Sequence, residues 1–266
     1  MNRLSVFLVS MLASLTTMAD WEVNMPRGVT PTANAAYDLH MLIFYITVVI
    51  GIVVFGVMFY SIFHHRKSKG AKPASFHEST TVEIIWTVIP FVILVGMAIP
   101  ATKTLIMMED TRNSEITLKV TGYQWMWKYD YVEDDVAFFS KLDSDSNEAR
   151  QLGSKKDVNK VDNYLLNVDN EVVLPTDPKI RILLTASDVI HAWWVPELTG
   201  KKDAIPGYVN ELWIDIKKPG VYRGQCTELC GKDHGFMPIV VRAVPKQEYT
   251  KWVSLNQKNR VADKSK

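Results

Sequence analysis

Two long apolar runs dominate the first hundred positions and then give way to short alternating patterns. Residues 40–63 carry no charge, and residues 84–106 carry only Lys103 near the far end. Each run exceeds the roughly 20 residues a helix needs to cross a bilayer core, so the pattern predicts a hairpin of membrane helices over 39–107, the helices at about 39–63 and 84–106. The loop between them, 64–83, holds Arg66, Lys67, Lys69 and Lys72, and the positive-inside rule assigns it to the cytoplasm. The expectation is a multi-pass protein of a bacterial inner membrane, both flanking regions facing the periplasm. Pro90 and Pro100 predict bends in the second helix.

From Glu115 the period changes. Ile116, Leu118 and Val120 alternate with polar residues, as do Leu212, Ile214 and Ile216, which marks half-buried strands. Further strands are predicted at 123–131, 180–185, 221–225 and 239–244, with Pro219-Gly220 as a turn. Short strands with no long helical pattern predict an all-β antiparallel sandwich over 108–255. Within it, residues 140–170 are rich in charge and read as a mobile surface insertion, although Tyr164-Leu165-Leu166 starts a packed segment. The tail, 256–266, reads as flexible. Arg3, the apolar stretch 4–15 and Ala19 read as a signal peptide, 1–19, too short to span about 30 Å of hydrocarbon. Residues 20–38 then form a periplasmic N-terminal segment.

The formal charge of +1 over 266 residues argues against nucleic acid as a bulk partner, so electrostatic docking would need a local patch. The chemistry concentrates at 224–238, GQCTELCGKDHGFMP, which holds both cysteines, Cys226 and Cys230, followed by His234 and Met237. A tetrahedral zinc site takes Cys and His without a thioether, whereas Cys, His and a weak Met together favour copper. A second imidazole stands upstream at His191, in SDVIHAWWVP, and two bridging thiolates then hold two copper ions. A disulfide is the plain alternative in an oxidising compartment, but it leaves the neighbouring His and Met without a role. His40, His64, His65 and His77 read as structural or solvated.

Three other features carry an expectation. Asp188, three residues before His191, is either a group behind that ligand or a turn cap. Tyr123, Trp125, Trp127, Tyr129 and Tyr131 alternate, which puts the rings on one strand face, as core or subunit contact. Glu83 opens the second apolar run, where a helix N-terminus favours a carboxylate.

The blocks DVxHxWxxP and CxExCGxxHxxM, together with VEIIWTVIP, GYQWMWKYDY and DAIPG, resemble the cytochrome c oxidase subunit 2 family in order and spacing. The resemblance runs from about Tyr37 to Trp252. It implies a membrane-anchored cupredoxin-like Greek key carrying a dinuclear copper (CuA) centre. In that pattern Cys226 and Cys230 bridge, His191 and His234 each bind one copper, Met237 is a weak ligand, and Glu228 offers its backbone carbonyl. The Glu228 side chain resembles one that binds magnesium at the interface with the catalytic haem–copper subunit 1. Trp125 matches the tryptophan through which electrons enter, and Glu83 the entrance to a proton pathway in that partner. The implied role is a subunit of an oxidoreductase that takes electrons from cytochrome c and passes them to haem. Oxygen is reduced to water on the partner, with proton pumping.

Two positions depart from the family pattern: Tyr123, where histidine is usual, and Tyr208 after DAIPG, where arginine is common. Asp130, Glu133, Asp134, Asp135, Asp188 and Asp203 are expected to form an acidic patch for a basic donor. A membrane-tethered copper carrier is the alternative from another class. It would favour Met-rich or His-rich tracts, which the sequence does not contain. A quinol oxidase subunit of the same fold is a third reading, and retention of the copper ligands speaks against it.

Overall fold

The computed structural model describes residues 24–263; the expected signal peptide lies outside them. Helix α1, Pro31–His64, starts ahead of the apolar run because Thr30 caps it, its hydroxyl accepting from the Ala33 N–H, with Pro31 in the first turn. Helix α2, Thr80–Glu109, contains Pro90 and Pro100 and takes in a polar first turn with Glu83. Both are long and apolar enough to cross a membrane. Much of their apolar surface is left uncovered by the described residues: Ile52, Phe91 and Ile106 are 68%, 65% and 67% exposed. At about 25 cal/mol per Å² such surface is costly in water and free of that cost in lipid.

The remainder is a two-layer β sandwich. The strands are β1 Ile116–Tyr123, β2 Met126–Tyr131, β3 Val136–Ser140, β4 Val172–Pro175, β5 Ile180–Ala186, β6 His191–Trp194, β7 Lys202–Ala204, β8 Asn210–Ile214, β9 Gly220–Cys226 and β10 Pro238–Val244. One sheet has the order β3-β2-β1-β5-β8 and the other β4-β10-β9-β6-β7. Strands next in sequence change sheets at β3–β4, β4–β5, β5–β6, β7–β8 and β8–β9, which wraps both sheets around one core of Leu118, Trp127, Tyr129, Ile182, Trp193 and Ile239, all buried. Alternation alone predicts antiparallel pairing throughout. Instead β1 lies parallel to β5 and β4 parallel to β10, because each partner is reached by a crossover rather than a hairpin.

Two expectations change here. Residues 140–170 do not read as mobile: Asp143 caps helix α3, Ser144–Ala149, and Ser146 is fully buried with its hydroxyl accepting from the Leu165 N–H. Leu142 bridges Val168, and Arg150 lies over the Phe236 ring at 4.3 Å and 3.3 Å from Asp233. Capping and apolar contacts inside the segment fold it on itself despite its charge, and Arg150 ties it to the β9–β10 loop. Beyond Val244, helix α4, Lys246–Asp263, extends past residue 255 into the expected tail. Tyr249 and Trp252 pack beside Tyr131.

The sandwich grips both helices. The Trp213 indole donates to the Met107 carbonyl at 3.0 Å, Lys202 pairs with Glu109 at 2.7 Å, and Lys179 donates to the Asp110 and Arg112 carbonyls. On the α1 side, Thr30 Oγ1 donates to the Leu198 carbonyl at 2.6 Å.

Candidate metal centre

Three connections meet at one end of the sandwich: the turn between β1 and β2, the loop before β6, and the β9–β10 loop carrying 227–237. Register puts them there. Trp193 pairs with Cys226 across β6 and β9, so His191 at the start of β6 faces Cys226 at the end of β9. The Cys226 Sγ lies 3.8 Å from Cys230 Sγ and 3.9 Å from His191 Nδ1, and Cys230 Sγ lies 3.5 Å from His234 Nδ1. The donor atoms of His191, Cys226 and Cys230 all fall within 4.8 Å of one another. Both cysteines are free thiols, far outside the roughly 2.05 Å of a disulfide.

The other expected ligands fall around this pair. Cys226 Sγ donates to the Glu228 carbonyl at 3.4 Å, which points that oxygen into the cluster while the Glu228 residue is exposed. Met237 is 1% exposed, and its carbonyl accepts from the Cys226 N–H. Two sulfurs, two imidazole nitrogens, a carbonyl and a buried thioether suit a soft metal, and the donor set fits copper better than zinc.

Asp188 fills both of the roles left open for it. Its Oδ1 accepts from His191 Nε2 at 2.9 Å and from the Val189 N–H at 2.7 Å, and its Oδ2 accepts from the Gln124 N–H at 2.7 Å. With Nε2 bound to the carboxylate, Nδ1 is left to face the thiols. Partial burial works to raise the Asp188 pKa, but the bonds from His191, Val189 and Gln124 outweigh it and hold the carboxyl below its usual range. Burial also opposes thiolates, yet His191 and backbone donors bring Cys226 to about 7, while burial and the Cys226 charge push Cys230 up to about 12. The pair therefore gives up one proton readily and the second reluctantly, a charge pattern that a cation relieves.

The aromatic alternation spans a turn. β1 ends at Tyr123 and β2 begins at Met126, so only Trp127, Tyr129 and Tyr131 share the buried face of one strand. The Tyr123 ring meets Phe139 edge-on, and Tyr208 is exposed. Trp125 sits in the turn, half-buried, its indole N–H donating to the Cys230 carbonyl at 3.1 Å. It borders an open cleft of about 630 Å³ whose other walls include Asp143, Asp145, Asp169 and Asp233 against Lys141 and Arg150.

The expected acidic patch is divided: Asp188 stays at the centre as the partner of His191 and Asp203 faces Ala192 across β6 and β7, but the remaining carboxylates do not join them. Glu133, Asp134 and Asp135 occupy the opposite end of β2, roughly 20 Å from Trp125 at about 3.3 Å per residue. There Glu133 accepts from the Thr117 N–H and Asp134 bonds Tyr249. Asp130 pairs with Lys128. Glu83 is not brought near the thiols: it stands in the first turn of α2, exposed, about 36 Å along the helix from Met107.

Sequence reasoning gave Gly122 no role. A Cβ there would stand 2.7 Å from His191 Cδ2, so the ring can occupy its place only against a glycine. A glycine inside an alternating strand is the available signal for such a close approach.

Residues 116–244 match the family described as cytochrome C oxidase subunit II, periplasmic domain, and residues 18–104 match cytochrome C oxidase subunit II, transmembrane domain. A probable cytochrome c oxidase subunit 2 of Rickettsia bellii is 40% identical over 243 residues, covering 91% of this chain and 86% of that protein. Cytochrome c oxidase subunit 2 of Arabidopsis thaliana is 38% identical over 239 residues, covering 88% and 89%. Among solved structures, the periplasmic domain of subunit II of cytochrome oxidase of Bradyrhizobium japonicum is 40% identical, covering 56% of this chain and 98% of that one at a TM-score of 0.49.

Proposed function

The chain belongs to the cytochrome c oxidase subunit II family, membrane-anchored subunits of an oxidoreductase complex, and from that premise we propose that it accepts electrons from cytochrome c at a dinuclear CuA centre. The observation that carries the reading is the grouping of two imidazole Nδ1 atoms and the Glu228 carbonyl around the Cys226–Cys230 sulfur pair. Cys226, Cys230, His191 and His234, with Met237 and the Glu228 carbonyl, would hold the copper. Bound there, copper would supply a one-electron redox carrier.

The chain's own residues supply rigidity and a route. Asp188 orients His191, and the sandwich fixes both ligand loops, so little rearrangement accompanies a change of charge. Trp125 joins the surface to a ligand through one hydrogen bond, indole N–H to Cys230 carbonyl. A basic donor is steered by the carboxylates of the adjoining cleft, Asp143, Asp145, Asp169 and Asp233, in place of those at 130–135. Electrons then pass to haem in the catalytic haem–copper subunit 1, where oxygen is reduced to water with proton pumping. By its resemblance to the family, the exposed Glu228 would hold magnesium at that interface, and Glu83 would mark a proton entrance on the cytoplasmic side. The orientation is that of a multi-pass inner-membrane protein with basic loop 64–83 inside and the sandwich in the periplasm.

A Trp125→Phe variant tests the route. It should keep its copper and bind the donor while electron transfer slows by an order of magnitude or more. Full copper, normal binding and an unchanged transfer rate would overturn the assignment.

A further inference from the structure

The β1–β2 turn reaches both ligand loops through one residue. The Gln124 backbone N–H donates to Asp188, which holds His191, and the Gln124 side-chain Nε2 donates to the Cys230 carbonyl at 2.8 Å. That carbonyl also accepts the Trp125 indole, so both of its lone pairs are engaged by consecutive residues of the turn. The next residue makes room for them. Gly231 has φ +120°, and a Cβ there would stand 3.1 Å from Gln124 Nε2 and 3.1 Å from Trp125 Cζ2.

We propose that Gln124 is a positioning residue for the metal centre: its side-chain amide fixes the Cys230 peptide and draws electron density from it, while its backbone N–H ties the same turn to the His191 loop. The inference rests on the copper reading of the site. A donor on the carbonyl of a ligating cysteine polarises that residue's peptide, and hydrogen bonds around a thiolate tune what the sulfur offers the metal. The Trp125 indole, sharing the same acceptor, is held in place by the peptide that Gln124 fixes. Gln124 has no part in the redox chemistry; it acts through Cys230 and Trp125.

The test is Gln124→Met in the full chain, which keeps the backbone N–H and removes the side-chain donor. The chain has two cysteines, so [1-¹³C]cysteine marks only the Cys226 and Cys230 carbonyls for infrared spectroscopy. In the metal-free variant one of the two labelled bands should move to higher frequency, the signature of a carbonyl that has lost a donor. In the copper-loaded variant copper release to a chelator should quicken about two- to fivefold, the equivalent of one net hydrogen bond, and the reduction potential should fall. Unchanged carbonyl bands would overturn the hydrogen bond itself. A shifted band with unchanged potential and release rate would overturn the positioning role. Failure of the wild-type chain to take up copper would sink the copper reading, and the metal-free carbonyl band would still report on Gln124.

Discussion

Gly122→Ala puts the packing of His191 under a direct test. In an unstrained strand position with room to spare, replacing glycine by alanine stabilises a protein by about 0.4–1 kcal/mol, because the unfolded chain has less freedom to lose. Here the added methyl would lie 2.7 Å from His191 Cδ2 and 2.9 Å from Cγ, so the ring must retreat by at least 0.7 Å to reach an ordinary 3.4 Å contact. It has little space to do so: the ring is fully buried, faces Trp127 edge-on at 5.9 Å and is bonded to Asp188. Overpacking of this kind costs about 1–3 kcal/mol, which exceeds the entropic gain.

The variant should therefore melt lower, by roughly 3–8 °C for a domain of about 150 residues. Moving the ring also disturbs its bond to Asp188, so copper affinity should drop about 10–100-fold, as when a group supporting a metal ligand is lost. Calorimetry of the metal-free chain and chelator competition of the loaded chain measure the two effects separately. A variant that melts at or above the wild-type temperature and holds copper as tightly would refute the reasoning, because His191 would then not be packed on Gly122.

Two further outcomes follow from the structure. Arg150→Ala removes a partly buried ion pair to Asp233 and the stacking on Phe236, about 1 kcal/mol together, so proteolysis within 140–170 should quicken about fivefold while copper content holds; an unchanged cleavage rate would contradict the anchoring role. Glu83→Ala should slow turnover of the assembled oxidase severalfold and leave the copper spectrum intact, whereas full turnover when proton uptake limits the rate would reduce Glu83 to a carboxylate at a helix N-terminus.

The membrane helices and the cluster of candidate ligands were legible in the sequence for simple reasons. An apolar run of more than 20 residues has few alternative fates, and Cys226, Cys230, His234 and Met237 stand close enough in the chain for their shared softness to be seen. His191 needed one long-range guess, which the β6–β9 register explains. Local pattern failed where distant partners decide. The alternation through 123–131 hides the turn at Gln124-Trp125, since rings two apart look alike on a strand and across a tight turn. The order of 140–170 combines contacts within the segment, such as Leu142 with Val168 and Ser146 with Leu165, with Arg150 meeting Asp233, 83 residues away. The same applies to charge: residues 130–135 are near Trp125 in sequence but at the other end of β2, whereas Asp143, Asp169 and Asp233 reach it through tertiary contacts.

The most direct measurement is an electron paramagnetic resonance spectrum of the copper-loaded chain after partial reduction, recorded beside a Cys226→Ser variant. If both thiolates bridge a pair, the spectrum should show one unpaired electron shared equally by two copper nuclei at two coppers per chain, and Cys226→Ser should abolish it. A signal confined to a single copper, or one that survives in Cys226→Ser, would contradict the account.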